Sequence, residues 1–140
     1  MYDLSARLLM YDLSAAFDTV SHQTLIDKLT IYGFNNHSIA WMKSYLHERK
    51  QLVEIQGQRS RTLEMPTGTP QGSRISHLLF ICIMADLDLW TQDCVISNFA
   101  DDTQTLCVAD NKEDIVTKTK QDADNVINFF SANHTPAQAQ

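Results

Sequence analysis

At 140 residues and 44% hydrophobic, the chain is in the ordinary range for one globular domain and can enclose a single core. Its longest apolar stretch, Leu78 to Ala85 with Leu87 and Leu89 beyond, falls short of the ~20 residues that span a bilayer. No secretory or transit pattern opens the sequence, so an intracellular protein (nucleus or cytoplasm, not secreted) without a membrane partner is expected.

A formal net charge of −6 taken alone argues against nucleic acid as a partner. The distribution qualifies that. Residues 43–74 hold six basic side chains (Lys43, Arg49, Lys50, Arg59, Arg61, Arg74) against three acidic ones, while residues 75–140 hold three against ten. The basic third is suited to following a phosphate backbone, or is a solvated surface. Cys82, Cys94 and Cys107 are odd in number, widely spaced and set among apolar neighbours, which predicts reduced core thiols rather than a zinc site. Asn36-His37-Ser38 and Asn133-His134-Thr135 match the glycosylation acceptor pattern, read as chance in a chain without a secretory signal.

In chain order, Met1 to Ala6 recurs word for word as Met10 to Ala15, a single period that matches no solenoid and offers two aspartates, Asp3 and Asp12, for one role. Leu8 to Leu13 predicts a short strand. Ser21 caps a helix whose Leu25, Ile26, Leu29 and Tyr32 share a face until Gly33 ends it, and a second helix starts at Asn36 or Ser38. Gln51 to Gln56, bounded by Gly57, leads into a hairpin towards Arg61 to Glu64. Pro66 to Gly72 is a loop, followed by an apolar helix from about Ser73 to Trp90, expected to be buried on most sides. Cys94 to Phe99 and Thr103 to Val108 are strands about a turn at Ala100-Asp101-Asp102. Asp110 opens a capping box with Glu113 and an amphipathic helix follows, leaving residues 132–140 as a frayed tail. This order predicts an α+β fold, a sheet layered on helices, and does not suggest a doubly wound dinucleotide fold.

Three segments carry chemistry. Asp101 and Asp102 stand in an otherwise apolar hairpin, where carboxylates cost free energy unless a cation compensates; only at a turn can two consecutive acids approach one ion. An exposed acidic turn is the alternative. Asp12 closes the first strand, well placed to join a site built by a neighbouring hairpin, or else to cap a helix. Gly68-Thr-Pro-Gln-Gly-Ser73 runs into a helix, where glycines admit a close ligand and the helix N-terminus favours phosphate, or it is a simple junction.

Taken together, Asp12-Leu-Ser-Ala-Ala-Phe-Asp18, Gly68-Thr-Pro-Gln-Gly-Ser73 with the following Arg-Ile-Ser-His-Leu-Leu-Phe80, and Phe99-Ala-Asp-Asp-Thr103 resemble motifs A, B and C of reverse transcriptases, most closely those of non-LTR retrotransposons. The resemblance runs from about Tyr11 to Asn133. It includes Ser21-His22, the Trp41 to Leu46 helix before Arg49-Lys-Gln51, and Phe129-Phe-Ser-Ala-Asn133.

It implies an RNA-directed DNA polymerase whose antiparallel palm sheet packs on helices, residues 1–140 forming one partial palm domain with fingers and thumb largely missing. It implies Asp12, Asp101 and Asp102 as catalytic residues and metal ligands for two Mg2+ ions, with Mn2+ as the substitute, and an RNA template, a DNA primer and a dNTP as partners. Phe17, five positions after Asp12, would pack against the nucleotide sugar; Leu8 stands at that distance from Asp3, so Asp12 takes the role. Gln71 would sit by the nucleotide, Gly72 would leave room for it, and Asp18 would hold the motif A turn. The chain departs from the family pattern at Phe99 (Tyr), His77 (Pro), Arg74 (apolar) and Ala85 (Asn). Those departures keep a second expectation open, a non-catalytic retrotransposon remnant acting at most as a binding fragment; a metal-binding module unrelated to polymerases leaves Phe17 and Gly68 to Ser73 without a role.

Overall fold

The computed structural model describes residues 5–12, 17–70, 72–99, 102–133 and 138–139. Asp3, Leu13, Gln71, Ala100 and Asp101 lie outside them.

The chain enters as β1 (Ser5–Asp12), three residues longer at its start than the apolar pattern suggests. Helix α1 (His22–Ile31) begins at Ser21, whose hydroxyl accepts the Thr24 N–H, and α2 (Asn36–Leu46) begins at Asn35, whose side chain accepts the Ser38 N–H. Four two-residue strands follow: β2 (Lys50–Gln51) pairs with β5 (Leu63–Glu64), and β3 (Glu54–Ile55) with β4 (Gln58–Arg59). The inner pair turns through Gln56 and Gly57, both at positive φ, a two-residue reversal that suits the twist of the ladder. The continuous strand expected over Gln51 to Gln56 is therefore broken.

Helix α3 (Arg74–Met84) is capped by Ser73 and stops six residues before Trp90; Leu87–Trp90 form a separate 3-10 turn. Lys28 of α1 reaches the break. In a continuous helix the Ile83 carbonyl would accept the Leu87 N–H, but here Lys28 Nζ donates to it at 2.7 Å and to the Asp86 carboxylate at 2.5 Å. Nor is α3 buried on most sides: Ser76, Leu79, Phe80, Ile83 and Met84 are buried, while Leu78 and Ile81 face solvent.

The motif C region forms β6 (Cys94–Phe99) and β7 (Asp102–Ala109), followed by α4 (Lys112–Ala132). The cap of α4 lies one residue later than expected. Asn111 accepts the Asp114 N–H and its amide returns a hydrogen bond to the Asp114 carboxylate, in place of an Asp110 and Glu113 box. The tail is not wholly frayed, because β8 (Gln138–Ala139) pairs with Tyr11 and Asp12 along the otherwise open side of β1.

Strands β6, β7, β1 and β8 make one antiparallel sheet in that spatial order. In β7, Thr103, Thr105, Cys107 and Ala109 turn inward and the residues between them face out. Tyr11 joins Val20, Leu25, Leu29, Phe80, Ile83, Val126, Phe129 and Phe130 in the core between sheet and helices. The α+β architecture expected from the sequence is the one observed. No helix among the described residues is long and apolar enough to cross a membrane.

The cysteines depart from expectation. Register sets Cys94 directly opposite Cys107, Cα atoms 4.3 Å apart, and the two form a disulfide. A pairing between adjacent strands leaves no trace in sequence spacing. Only Cys82 is a free thiol among the described residues, and burial raises its pKa.

Candidate functional site

Asp12 ends β1 and Asp102 begins β7, two neighbouring strands of the sheet. The β1 to β7 register runs from Ser5 opposite Ala109 to Tyr11 opposite Thr103, so the next position on each strand is Asp12 on one and Asp102 on the other. Paired positions share a sheet face and successive ones alternate. Tyr11 and Thr103 are buried against the helices. Asp12 and Asp102 stand one step on, on the face turned away from them, and both are exposed.

Across β7 from β1, Phe99 of β6 pairs with Asp102 and is 83% exposed. A shallow hollow of about 240 Å3 lies here, lined by Met10, Ser97, Phe99, Asp102 and Gln104 among others. It is smaller than a ligand-sized pocket. The acidic end of the sheet is an open platform.

Two exposed carboxylates on adjacent strands supply hard oxygen donors with no His or Cys among them, which suits Mg2+ or Mn2+ better than a softer metal. Among the described residues no three His, Cys, Asp or Glu side chains cluster closely enough to hold an ion by themselves. Asp101, the third expected ligand, and Gln71, one of the expected nucleotide contacts, lie outside the described residues.

Motifs A and B are stitched together through their backbones. Gly68 N–H donates to the Val20 carbonyl, Thr69 N–H to the Phe17 carbonyl, and the Thr67 hydroxyl to the Asp18 carbonyl, at 2.8–3.0 Å. Gly68 has φ +87, and a Cβ there would stand 2.7 Å from the Asp18 carbonyl oxygen, so only glycine lets the loop lie this close. The Phe17 ring is partly buried against α3, 4.6 Å from the Phe80 ring and 5.6 Å from His77, centre to centre. His77, one of the departures from the family pattern, thus packs edge-on against the expected sugar-facing ring. Gly72 is exposed at φ +79 with open space where a Cβ would project.

Of the basic third, Arg49 lies over the Tyr45 ring and donates to the Tyr45 carbonyl, Arg59 pairs with Glu54, and Lys43, Lys50, Arg61 and Arg74 are exposed.

Residue-by-residue reading of the chain missed three groups that hold this frame. Lys28, between Ile83, Asp86 and the Phe129 ring 4.6 Å away, clamps three helices. Asp122, fully buried, accepts backbone N–H groups from Gln92, Asp93 and Cys94. His22 bonds the Gly68 carbonyl. Asp122 was open to detection, because it occupies a position on the same helical stripe as Ile115, Thr119 and Val126, where an acid needs internal partners.

Residues 4–135 match the family described as reverse transcriptase (RNA-dependent DNA polymerase). The RNA-directed DNA polymerase from mobile element jockey of Drosophila melanogaster is 31% identical over 102 residues, covering 68% of this chain and 11% of that protein. The probable RNA-directed DNA polymerase from transposon BS of the same organism is 37% identical over 77 residues, 54% of this chain and 8% of that protein. The chain therefore spans about a tenth of the length of these curated relatives.

Proposed function

The chain belongs to the reverse transcriptase family, and on that premise we propose that it is a palm segment of an RNA-directed DNA polymerase of a non-LTR retrotransposon, acting inside the cell. The parent enzyme extends a DNA primer by a dNTP on an RNA template. One observation supports the reading: the β1 to β7 register ends at Tyr11 opposite Thr103, and the residues that follow it outward on the two strands are Asp12 and Asp102, both exposed.

Asp12, Asp101 and Asp102 would hold two Mg2+ ions, or Mn2+. When bound, the metals lower the pKa of a primer 3′-hydroxyl and neutralise charge on the departing pyrophosphate. The chain's own residues orient the reactants. Phe17, backed by Phe80 and His77, presents a rigid ring edge to the nucleotide sugar, where a 2′-hydroxyl would collide. Gly72 keeps the motif B loop free of a side chain beside the nucleotide, and Gln71 contributes a donor and an acceptor to it. The acidic platform repels the template and primer phosphates by itself, so productive binding of nucleic acid requires the cations.

A non-catalytic remnant is the second reading, favoured by the substitutions at Arg74, His77 and Ala85 around α3. Two measurements separate them. Titrating the chain with Mn2+ should broaden the amide NMR signals of Asp12 and Asp102 first, and the combined Asp12→Asn and Asp102→Asn variant should abolish the effect. Primer extension on an RNA template by a protein containing this segment should proceed with Mg2+ and stop on Asp101→Asn. Broadening spread over all surface carboxylates, with no extension, would leave the remnant.

A further inference from the structure

We infer that His22 is a positioning residue for nucleotide selection, acting through the peptide unit between Gly68 and Thr69; the inference rests on the polymerase reading above. That peptide is gripped at both ends. Its carbonyl, from Gly68, accepts the His22 Nε2–H at 2.7 Å, and its N–H, from Thr69, donates to the Phe17 carbonyl at 2.8 Å. A planar peptide cannot turn one end without the other. Freeing the carbonyl from His22 therefore loosens the bond that sets the backbone of Phe17.

Geometry leaves little slack around this unit. Gly68 lies so close to Asp18 that even a methyl group would collide with its backbone. Ser21 and Thr67 form an isolated bridge beside it, and Gly68 N–H is held by Val20. His22 is the first residue of α1, its ring half-buried and aimed from the helix start at the loop. The start of α1 is fixed by its Ser21 cap and by the buried Leu25, Ile26 and Leu29, so the imidazole transmits the position of α1 to the motif B loop. Phe17 is the end of this chain of contacts, its backbone carbonyl held by the loop and its ring packed on Phe80 and His77 of α3. The angle of that ring decides whether a 2′-hydroxyl is refused, so His22 belongs to sugar discrimination although it is placed to touch the loop and not the nucleotide.

The test compares His22→Ala, His22→Gln and Phe17→Ala in a protein containing this segment, measuring primer extension with dNTPs and with ribonucleotides. His22→Ala should lower the preference for dNTPs about tenfold, mainly by improving KM for the ribonucleotide, as expected for loss of one neutral hydrogen bond. His22→Gln, which keeps an N–H at similar reach, should restore most of the preference, and Phe17→Ala should lose more than His22→Ala.

Equal loss of both activities in His22→Ala, with the preference unchanged while Phe17→Ala alters it, overturns the inference and leaves the polymerase reading intact. Absence of extension by the unsubstituted protein counts against that reading instead. In that case amide hydrogen exchange on the 140-residue chain still decides the positioning step. Thr69 N–H should exchange about tenfold faster in His22→Ala and return to its original rate in His22→Gln, and an unchanged rate would refute the coupling.

Discussion

Replacing Asp122 tests most directly whether the motif C hairpin is held from behind by α4. The carboxylate is fully buried and accepts three backbone N–H groups: Gln92 at 3.0 Å, Asp93 at 2.9 Å and Cys94 at 2.7 Å. Hydrogen bonds to a charged acceptor are worth about 1.5–3 kcal/mol each, but the three do not simply add, since water can reach the exposed Gln92 and Asp93 once the acid is gone. Cys94 is buried, and its N–H would carry the full penalty of an unmet donor. Asp122→Ala should therefore cost about 3–5 kcal/mol, a large part of the ordinary stability of a domain this size. Asp122→Asn should cost less, because its carbonyl oxygen can still serve Asp93 and Cys94 while its NH2 faces Gln92 N–H unfavourably. Urea unfolding followed by circular dichroism gives the totals, and hydrogen exchange at Cys94 locates the effect. A loss below about 1 kcal/mol for Asp122→Ala would refute the anchoring argument.

Three further outcomes follow from the contacts. Gly68→Ala should destabilise the chain by about 1–3 kcal/mol, since the methyl group meets the Asp18 backbone and φ +87 is strained for alanine; an unchanged melting temperature would mean that the loop does not lie against Asp18. Lys28→Met keeps the stem over Phe129 but strands Asp86 and the Ile83 carbonyl, and should cost about 1–3 kcal/mol in chemical denaturation, with Asp86→Asn recovering part of it. Burial, and then the Asp86 carboxylate, push the Tyr32 phenol from 10.0 up to about 12. A raised pKa means that the folded state keeps its proton while the unfolded chain loses it, so stability should fall as pH rises from about 10 towards 12. Tyr32→Phe should flatten that fall, and a profile identical to the parent's would refute the assignment.

How far the sequence discloses this arrangement depends on whether a signal is local. Ser21 as a cap, the two strands from Cys94 and Thr103 and the amphipathic character of α4 are set by neighbours within a turn or a pleat, and all are visible in the chain. The Asp110 cap failed by one residue because Asn111 offers the same chemistry with the better reciprocal partner. Helix α3 ends six residues short of the predicted Trp90, where the Ile83 carbonyl meets a lysine of another helix, a long-range contact with no local signal. Cys94 and Cys107 gave no hint of pairing, since their partnership follows from register and not from spacing. The motif A and C acids could be assigned only through their resemblance to a family, as two acids about ninety residues apart have no local reason to meet.

That separation follows from the order of the elements. α1, α2, the short hairpins, α3 and β6 lie between β1 and β7 in the chain, so the sheet that carries the acids rests on contacts of high sequence separation. Asp12 and Asp102 lie just beyond the last β1 to β7 pair, Tyr11 opposite Thr103. The adhesion comes from the other face: Tyr11 against Thr105 and Phe130, and α4 gripping the start of β6 through Asp122. The exposed end of the sheet can carry two acids because the buried face, one residue away on each strand, holds the strands to the helices.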